Sequence, residues 1–167
     1  MFIDLSGLIK NIGEEKSFCG ESAVEDIRFM GELISFAGPV KVDITVKNVG
    51  GVLCLSGRGQ CKVLVSCGRC GKPLTEDLEF EIEESLLYEG SNVEINDDED
   101  VIVFSGYRFD IDEIVANDIF MNLPIRYLCK EDCKGVCPKC GKDLNEGDCG
   151  CDKQQTDPRF DALKKLL

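Results

Sequence analysis

The chain of 167 residues contains 32 acidic and 19 basic residues, 11 cysteines and no histidine. The absence of histidine excludes Ser-His-Asp and Cys-His catalysis and every metal site that requires an imidazole. The formal net charge of -13 opposes the phosphate backbone, so direct binding to naked RNA or DNA is disfavoured. The 43% of hydrophobic residues can form a core, and no membrane span or secretory signal is evident. We therefore expect one or two small domains in the cytoplasm.

From Val40 onwards the sequence predicts an antiparallel β meander. Apolar residues from Val42 to Val46 alternate with polar ones, which is the two-residue period of a strand with one solvated face. A turn is expected at 48–51, and Gly57 and Gly59 separate two further short strands. Residues 2–9 indicate only a short strand or a helical turn. The main predicted strands lie at residues 40–47, 52–56, 61–66, 78–82 and 101–104.

An acidic loop and a helix interrupt and follow these strands. Residues 89–100 end in a run of acidic and amide residues and have little to bury, so we interpret them as a solvated loop or linker, and the alternative is an acidic arm that contacts a basic partner. Apolar residues at three- and four-residue spacing predict a helix near 111–122, which Asp110 or Asp112 can cap and which ends before Pro124. The apolar face of this helix is expected to pack on the sheet.

The tail from Arg126 has many cysteines, lysines and glycines but few large apolar residues, so it needs a stabilising element such as a bound metal. Asp157 and Pro158 then predict a short C-terminal helix. The fold class is therefore α+β, with an antiparallel β meander, one packed helix and a cysteine-rich element. We expect a β-rich domain at 1–125 and a cysteine-rich zinc element with the C-terminal helix at 126–167.

The cysteines carry the clearest chemical signal. In a chain without an export signal they are expected to be reduced thiols, so metal thiolates are favoured over disulfides. Two Cys-x-x-Cys pairs are each followed by glycine, which lets the backbone turn sharply beneath a metal ion. Cys19, Cys54 and Cys61 stand apart and are interpreted as free thiols. The candidate metal ligands are Cys67, Cys70, Cys129, Cys133, Cys137, Cys140, Cys149 and Cys151.

Eight cysteines suffice for two sites of four thiolates, and they can be divided in two ways. Short chain closure favours one ion held by Cys137, Cys140, Cys149 and Cys151, which leaves the other four for a second ion. The alternative joins the two Cys-x-x-Cys pairs in one site, as zinc ribbons and rubredoxins do. Zinc, at two ions per chain, is preferred because closed four-thiolate sites are its usual structural use, and iron is the alternative.

Basic residues surround the cysteines. Because a zinc ion held by four thiolates carries a net negative charge, we expect these residues to compensate that charge and to donate hydrogen bonds to sulfur. The alternative is a patch that contacts RNA. The residues concerned are Lys62, Arg69, Lys72, Lys130, Lys134, Lys139 and Lys142.

The segment from Leu128 to Cys151 joins Cys-Lys-Glu-Asp-Cys, Cys-Pro-Lys-Cys-Gly and Cys-Gly-Cys, and Asp-Pro-Arg-Phe follows at 157–160. This arrangement closely resembles the C-terminal signature of the YceD family of bacteria and plastids. The earlier Cys-Gly-Arg-Cys at 67–70 and the acidic loop occur in the same order, so the resemblance covers about residues 40–167. It implies accumulation or processing of large-subunit ribosomal RNA, without an established enzymatic activity.

We therefore expect a noncatalytic zinc-binding factor for the large ribosomal subunit. Because the chain is strongly acidic, its expected partner is a basic large-subunit ribosomal protein or a ribosomal precursor particle, and only the zinc element offers a surface for naked RNA. The alternative function is a thiol-disulfide oxidoreductase or redox sensor that uses a Cys-x-x-Cys pair. A metalloenzyme is less favoured, because four cysteines leave no open position on the metal.

Overall fold

The computed structural model of the chain describes residues 1–91, 93 and 100–151, which its contacts divide into two units. Unit 1 comprises Met1–Val65 and Pro73–Tyr127, and unit 2 comprises Ser66–Lys72 and the chain from Leu128 onwards. The two domains expected from the sequence stay a prediction, because a unit defined by contacts need not fold independently. Most of the predicted acidic loop and the predicted C-terminal helix lie outside the described residues.

Unit 1 is mostly antiparallel β sheet with few helices, as the sequence predicts. The strands are β1 (Phe2–Asp4), β2 (Glu15–Ser22), β3 (Ile27–Phe29), β4 (Glu32–Phe36), β5 (Val40–Val49), β6 (Val52–Ser66), β7 (Pro73–Tyr88), β8 (Ile102–Phe104) and β9 (Arg108–Asp110). The helices are α1 (Ser6–Lys10) and α2 (Asp112–Asn122). Neither helix in the described part of the chain has the length and apolar character needed to cross a membrane.

Two sheets organise these strands. The larger has seven strands, with β2, β5, β6, β4 and β3 in that order and with β7 paired to β6 and β8. The smaller pairs β1 with β9 in antiparallel register. The strongest sequence pattern lies on β5, which pairs with both β2 and β6: Val42, Ile44 and Val46 are buried, while Lys41, Asp43 and Lys47 at the alternate positions face solvent. This alternation places the core on one face of the sheet.

The two glycines at 57 and 59 do not separate strands, so the prediction of two short strands is wrong here. β6 continues without interruption for 15 residues. A Cβ atom at Gly57 would overlap the backbone of Asp43 on β5, and one at Gly59 would overlap the ring of Phe80. The glycines therefore permit close approach of neighbouring chain within the sheet, which is the other common use of glycine in a strand.

The meander also departs from a purely antiparallel pattern at β8. This strand pairs with β7 in parallel, with Leu86 opposite Ile102 and Tyr88 opposite Phe104. Parallel neighbours require a crossover longer than a hairpin turn, and 13 residues separate the two strands in the sequence. The sequence pattern locates β8 but does not give its direction.

Helix α2 turns an apolar face to the core of unit 1. Ile114, Val115 and Ile119 are buried, and the ring of Phe120 lies edge-on to Phe29 at a centroid distance of 5.3 Å. Ile111 occupies the N-cap position and makes no capping hydrogen bond, but the carboxylate of Asp110, one of the two predicted caps, accepts from the backbone N–H of Asp112 at 3.2 Å. Two acidic residues in the first turn still complement the positive end of the helix dipole.

Candidate metal centre

Unit 2 contains two turns with the same sequence pattern, Cys-x-x-Cys-Gly-Lys, at residues 67–72 and 137–142. In each turn, which we call a knuckle, the N–H of the first cysteine donates to the carbonyl of the lysine, at 2.8 Å in the first and 2.9 Å in the second. Gly71 has a φ of 72° and Gly141 a φ of 73°, a left-handed conformation that glycine adopts without strain. The two knuckles are therefore built by the same local chemistry.

The structure gathers the eight candidate cysteines into two groups of four. The first tetrad is Cys67, Cys70, Cys129 and Cys133, and the second tetrad is Cys137, Cys140, Cys149 and Cys151. Within each tetrad all four sulfur atoms lie within 4.8 Å of one another. This is the grouping that short chain closure favours, and the two knuckles do not share a site.

The sulfur separations fit a tetrahedral metal ion better than a disulfide. Four ligands about 2.3 Å from a central zinc ion lie about 3.8 Å apart, whereas bonded sulfurs are about 2.05 Å apart. The Sγ atoms of Cys67 and Cys133 are 3.8 Å apart, and those of Cys70 and Cys129 are 3.7 Å apart. The donor set thus fits a thiophilic ion with four ligands, and it fits zinc and iron alike.

Backbone amides favour one thiolate in each tetrad. The N–H of Cys129, together with two further amides, lowers the pKa of the Cys67 thiol to about 6. In the second tetrad the N–H of Cys140 leads the amides that lower the pKa of the Cys137 thiol to about 6. Hydrogen bonds to sulfur stabilise the charged form, so each knuckle presents a ready thiolate.

Other thiols of the tetrads resist ionisation. The neighbouring Cys133 raises the pKa of Cys129 to about 12, and the neighbouring Cys140 raises the pKa of Cys151 to about 12. Each of these thiols is hydrogen-bonded to the neighbouring sulfur, which favours its protonated form, and repulsion between two negative charges adds to the effect. A divalent cation among the sulfurs would reverse that effect and favour the thiolate form of all four ligands.

The basic residues near the cysteines contact oxygen atoms. The Arg69 guanidinium donates to the carbonyl oxygens of Glu131 at 3.2 Å and Cys133 at 2.7 Å, and the Lys142 ammonium donates to the carbonyl of Asp148 at 3.0 Å. These bonds tie the segments of unit 2 together. The side chains of Arg69 and Lys142 thus donate to carbonyl oxygens, whereas it is the backbone N–H of Arg69 that donates to the sulfur of Cys67.

The side chain that donates to a ligand sulfur is Asn145, which the sequence analysis did not single out. Its Nδ2 atom lies 3.4 Å from the Sγ of Cys133, and this bond leads the effects that lower the pKa of the Cys133 thiol. Nearby, the ammonium of Lys72 lies 2.8 Å from the carboxylate of Asp143 and lowers the pKa of Asp143 to about 2. No spacing rule marks an asparagine as a sulfur donor, so the sequence carried no signal for it.

The three remaining cysteines lie outside both tetrads and are free thiols, as expected. Cys19 is exposed and Cys54 is half-buried. Cys61 is buried in the core of unit 1, and its burial raises the pKa of its thiol to about 11. These cysteines therefore provide controls for experiments on the tetrads.

The fold and the site together define an acidic, mainly antiparallel β-sheet protein with a cysteine-rich unit whose two tetrads could hold metal ions. The chain belongs to the YceD family: residues 55–167 match the profile described as large ribosomal RNA subunit accumulation protein YceD. The matched region includes all eight cysteines of the tetrads.

Several curated proteins are similar to the chain. An uncharacterized Bacillus subtilis protein, YlbN, is 33% identical over 137 residues, which cover 77% of this chain and 74% of that protein. The Arabidopsis thaliana chloroplast protein named large ribosomal RNA subunit accumulation protein YCED homolog 1 is 26% identical over 155 residues, or 77% of this chain and 48% of that protein. An uncharacterized Mycobacterium tuberculosis protein is 25% identical over 127 residues, or 75% of this chain. This chain spans 61% of the length of that mycobacterial protein. No solved structure matches this chain.

Proposed function

We propose that this protein is a noncatalytic, zinc-binding factor that supports the accumulation or processing of large-subunit ribosomal RNA during ribosome biogenesis in the cytoplasm. The carrying observation is that the region matching the YceD family includes both tetrads. The family description and the name of the Arabidopsis relative both refer to large-subunit ribosomal RNA. The matched region covers the cysteine-rich unit and the part of unit 1 from residue 55 onwards.

The tetrads are proposed as structural sites for two zinc ions, with the eight cysteines as ligands. Four sulfurs complete the coordination of a tetrahedral ion and leave no position for a water or substrate. An ion held in this way stabilises unit 2, in which many residues are small or polar. It has no open site for catalysis, which supports a noncatalytic role.

The proposed partner is a basic large-subunit ribosomal protein or a ribosomal precursor particle. Unit 1 contains 24 acidic and 9 basic residues, whereas unit 2 contains 10 basic and 8 acidic residues. The exposed face of β7 alone carries carboxylates at Asp77, Glu79, Glu81 and Glu83. This distribution favours attraction of unit 1 to basic protein and restricts any contact with naked RNA to the cysteine-rich unit.

A thiol-disulfide oxidoreductase or redox sensor is the second candidate. It is favoured by the pKa of about 6 for the first cysteine of each knuckle, since a low pKa activates a thiol for exchange. Against it, each knuckle sulfur lies within 4.8 Å of three others, an arrangement suited to a metal. Zinc content after purification under reducing conditions separates the candidates: about two ions per chain support metal sites, and zinc-free chains that cycle between dithiol and disulfide support the rival.

Complementation tests the proposed role. In cells depleted of this protein, we expect the ratio of large-subunit to small-subunit ribosomal RNA to fall and the wild-type chain to restore it. The Cys67→Ser/Cys70→Ser variant should not restore the ratio, because it lacks half of the first tetrad. Cys54→Ser, which alters a cysteine outside both tetrads, is the matched control and should restore it. Full restoration by a knuckle variant shown to lack metal would contradict the proposal.

A further inference from the structure

A network of contacts inside unit 2 connects the two tetrads. It is centred on residues 143–145, in the loop between Cys140 and Cys149 that the second tetrad closes. This loop contacts both chain segments that carry the first tetrad, namely the knuckle at 67–72 and the segment at 129–135. The second tetrad therefore fixes the ends of a loop whose middle contacts the first.

Asn145 makes the closest link. Its Nδ2 atom donates to the Sγ of Cys133 at 3.4 Å, and its Oδ1 atom accepts from the N–H of Lys134 at 2.9 Å. The same side chain also donates to Asp143 Oδ1 at 2.7 Å, and the backbone N–H of Asn145 donates to that oxygen at 2.8 Å. One amide thus holds the ligand sulfur and the next peptide group in a fixed relation to the loop.

Asp143 forms the second link. Its Oδ2 atom lies 2.8 Å from the ammonium of Lys72, two residues after the ligand Cys70. The backbone adds a third, because Leu144 donates to the carbonyl of Gly135 at 2.9 Å and Val136 forms an antiparallel bridge with Asp143. Both halves of the first tetrad are therefore fastened to the same three-residue loop.

We propose that Asn145 couples the two metal sites, so that an ion in the second tetrad strengthens binding to the first, and the reverse. This inference rests on the proposed metal sites. Metal binding to the second tetrad orders the loop that places the Asn145 amide on Cys133. The conformational entropy of this loop is therefore lost when either ion binds, and the ion that binds afterwards meets a loop that is already ordered. Linkage requires the effect to be equal in both directions.

Native mass spectrometry with one equivalent of zinc per reduced chain tests the coupling. Independent sites of equal affinity leave about half of the chains with a single ion, whereas coupled sites give mainly chains with no ion or two. Asn145→Ala should increase the single-ion species and weaken binding of the second ion about 10- to 100-fold whichever tetrad is filled first, whereas a purely local effect would weaken the first tetrad alone. Asn122→Ala, which removes an amide bonded to the carbonyl of Asp118 in unit 1, is the control and should match wild type.

A double-mutant cycle separates this role from a local effect on folding. Cys149→Ser disables the second tetrad, and zinc competition with a chelator then reports the affinity of the first. We expect Cys149→Ser to weaken the first site, and Asn145→Ala to add little in that background, because the loop is no longer closed. Fully additive effects of the two changes would overturn the coupling.

The outcomes also distinguish the coupling from the metal sites themselves. A wild-type chain that binds no zinc contradicts the metal sites, whereas two ions that bind independently contradict only the coupling. If Asn145→Ala binds no zinc at all, Lys72→Met serves as the second variant, because it removes the ion pair with Asp143 and leaves every cysteine in place. It should raise the single-ion species in the same direction, and an unchanged distribution would count against the network.

Discussion

Gly59 illustrates how one residue sets the packing of a strand. It is buried within β6, and the ring of Phe80 on β7 occupies the space that a side chain would need. Phe80 is itself buried, with 3% of its surface exposed, so the ring has little room to move. The absence of a side chain at residue 59 is therefore part of the core.

We predict that Gly59→Ala destabilises unit 1 by about 1–3 kcal/mol, because the added methyl group overpacks the core against Phe80. Chemical denaturation measures the loss. Gly7→Ala is the matched control: its methyl group would meet only a carboxylate oxygen of Glu14 at 3.7 Å, an ordinary contact, in helix α1. A loss at Gly59 no larger than at Gly7 would contradict the prediction.

Asp118 is a charged residue in an unfavourable place. Its Oδ2 atom is buried without a hydrogen-bond partner among the described residues. Burial, followed by the charge of Glu84, raises the pKa of the carboxyl to about 6, from an ordinary value of 3.8. Because the folded pKa is the higher one, stability is present at low pH and is lost as the pH rises from about 4 through 6.

Asp118→Asn should therefore raise the melting temperature at pH 7.5 by about 1–3 °C, a modest value because the side chain is partly solvated. The difference from wild type should shrink towards pH 4, where the native carboxyl is protonated. Comparing variant with wild type at each pH removes any common effect of metal release. Asn117→Ala, an exposed change on the same helix that alters no titratable group, should show no such pH dependence. A stabilisation that is constant from pH 4 to 7.5 would contradict the assignment.

At the level of secondary-structure elements, the local pattern of apolar and polar residues predicts a strand correctly where one face of that strand packs regularly on the core. The alternation around Val42–Val46 predicts a strand correctly, because every second side chain enters one core. The sequence cannot tell whether Gly57 and Gly59 end a strand or admit a neighbour, since that depends on residues distant in the chain. The direction of β8 and the strands β2 to β4 depend in the same way on pairing partners rather than on local composition.

The candidate site shows the same division. Spacing alone identifies all eight cysteines of the tetrads, and closure length favours the grouping in which their sulfur atoms lie. The sequence analysis did not identify Asn145, because its contact with Cys133 arises from the fold of the 143–145 loop. Sequence spacing thus finds the sulfur atoms, whereas the groups around them emerge only from three-dimensional structure.

We predict that Cys149→Ser lowers the zinc content at saturating zinc from about two ions to about one, because each tetrad holds its own ion. Elemental analysis of the reduced, purified chain measures the content. Circular dichroism should show that the sheet of unit 1 remains folded, since no cysteine of the tetrads is among the buried residues of its hydrophobic core. Loss of both ions at saturation would contradict independent ligand sets, and Cys19→Ser should retain both.

At the scale of the whole molecule, the acidic and basic residues are distributed unequally between the two units. The acidic excess belongs to unit 1, whereas unit 2 has slightly more basic than acidic residues before any thiolate is counted. Long-range attraction towards a basic protein therefore acts mainly on unit 1. Four lysines of the cysteine-rich unit form the local exception, namely Lys130, Lys134, Lys139 and Lys142.

We predict that the zinc-loaded chain captures basic large-subunit ribosomal proteins from a defined mixture and binds protein-free large-subunit RNA weakly. Capture should weaken as salt rises from about 0.1 to 1 M, because the Debye length falls from about 10 to 3 Å. Replacing the four lysines with serine should leave protein capture intact, since the acidic residues of unit 1 are unchanged. Tight binding to protein-free RNA that disappears in the four-lysine variant would instead place direct RNA recognition on the cysteine-rich unit.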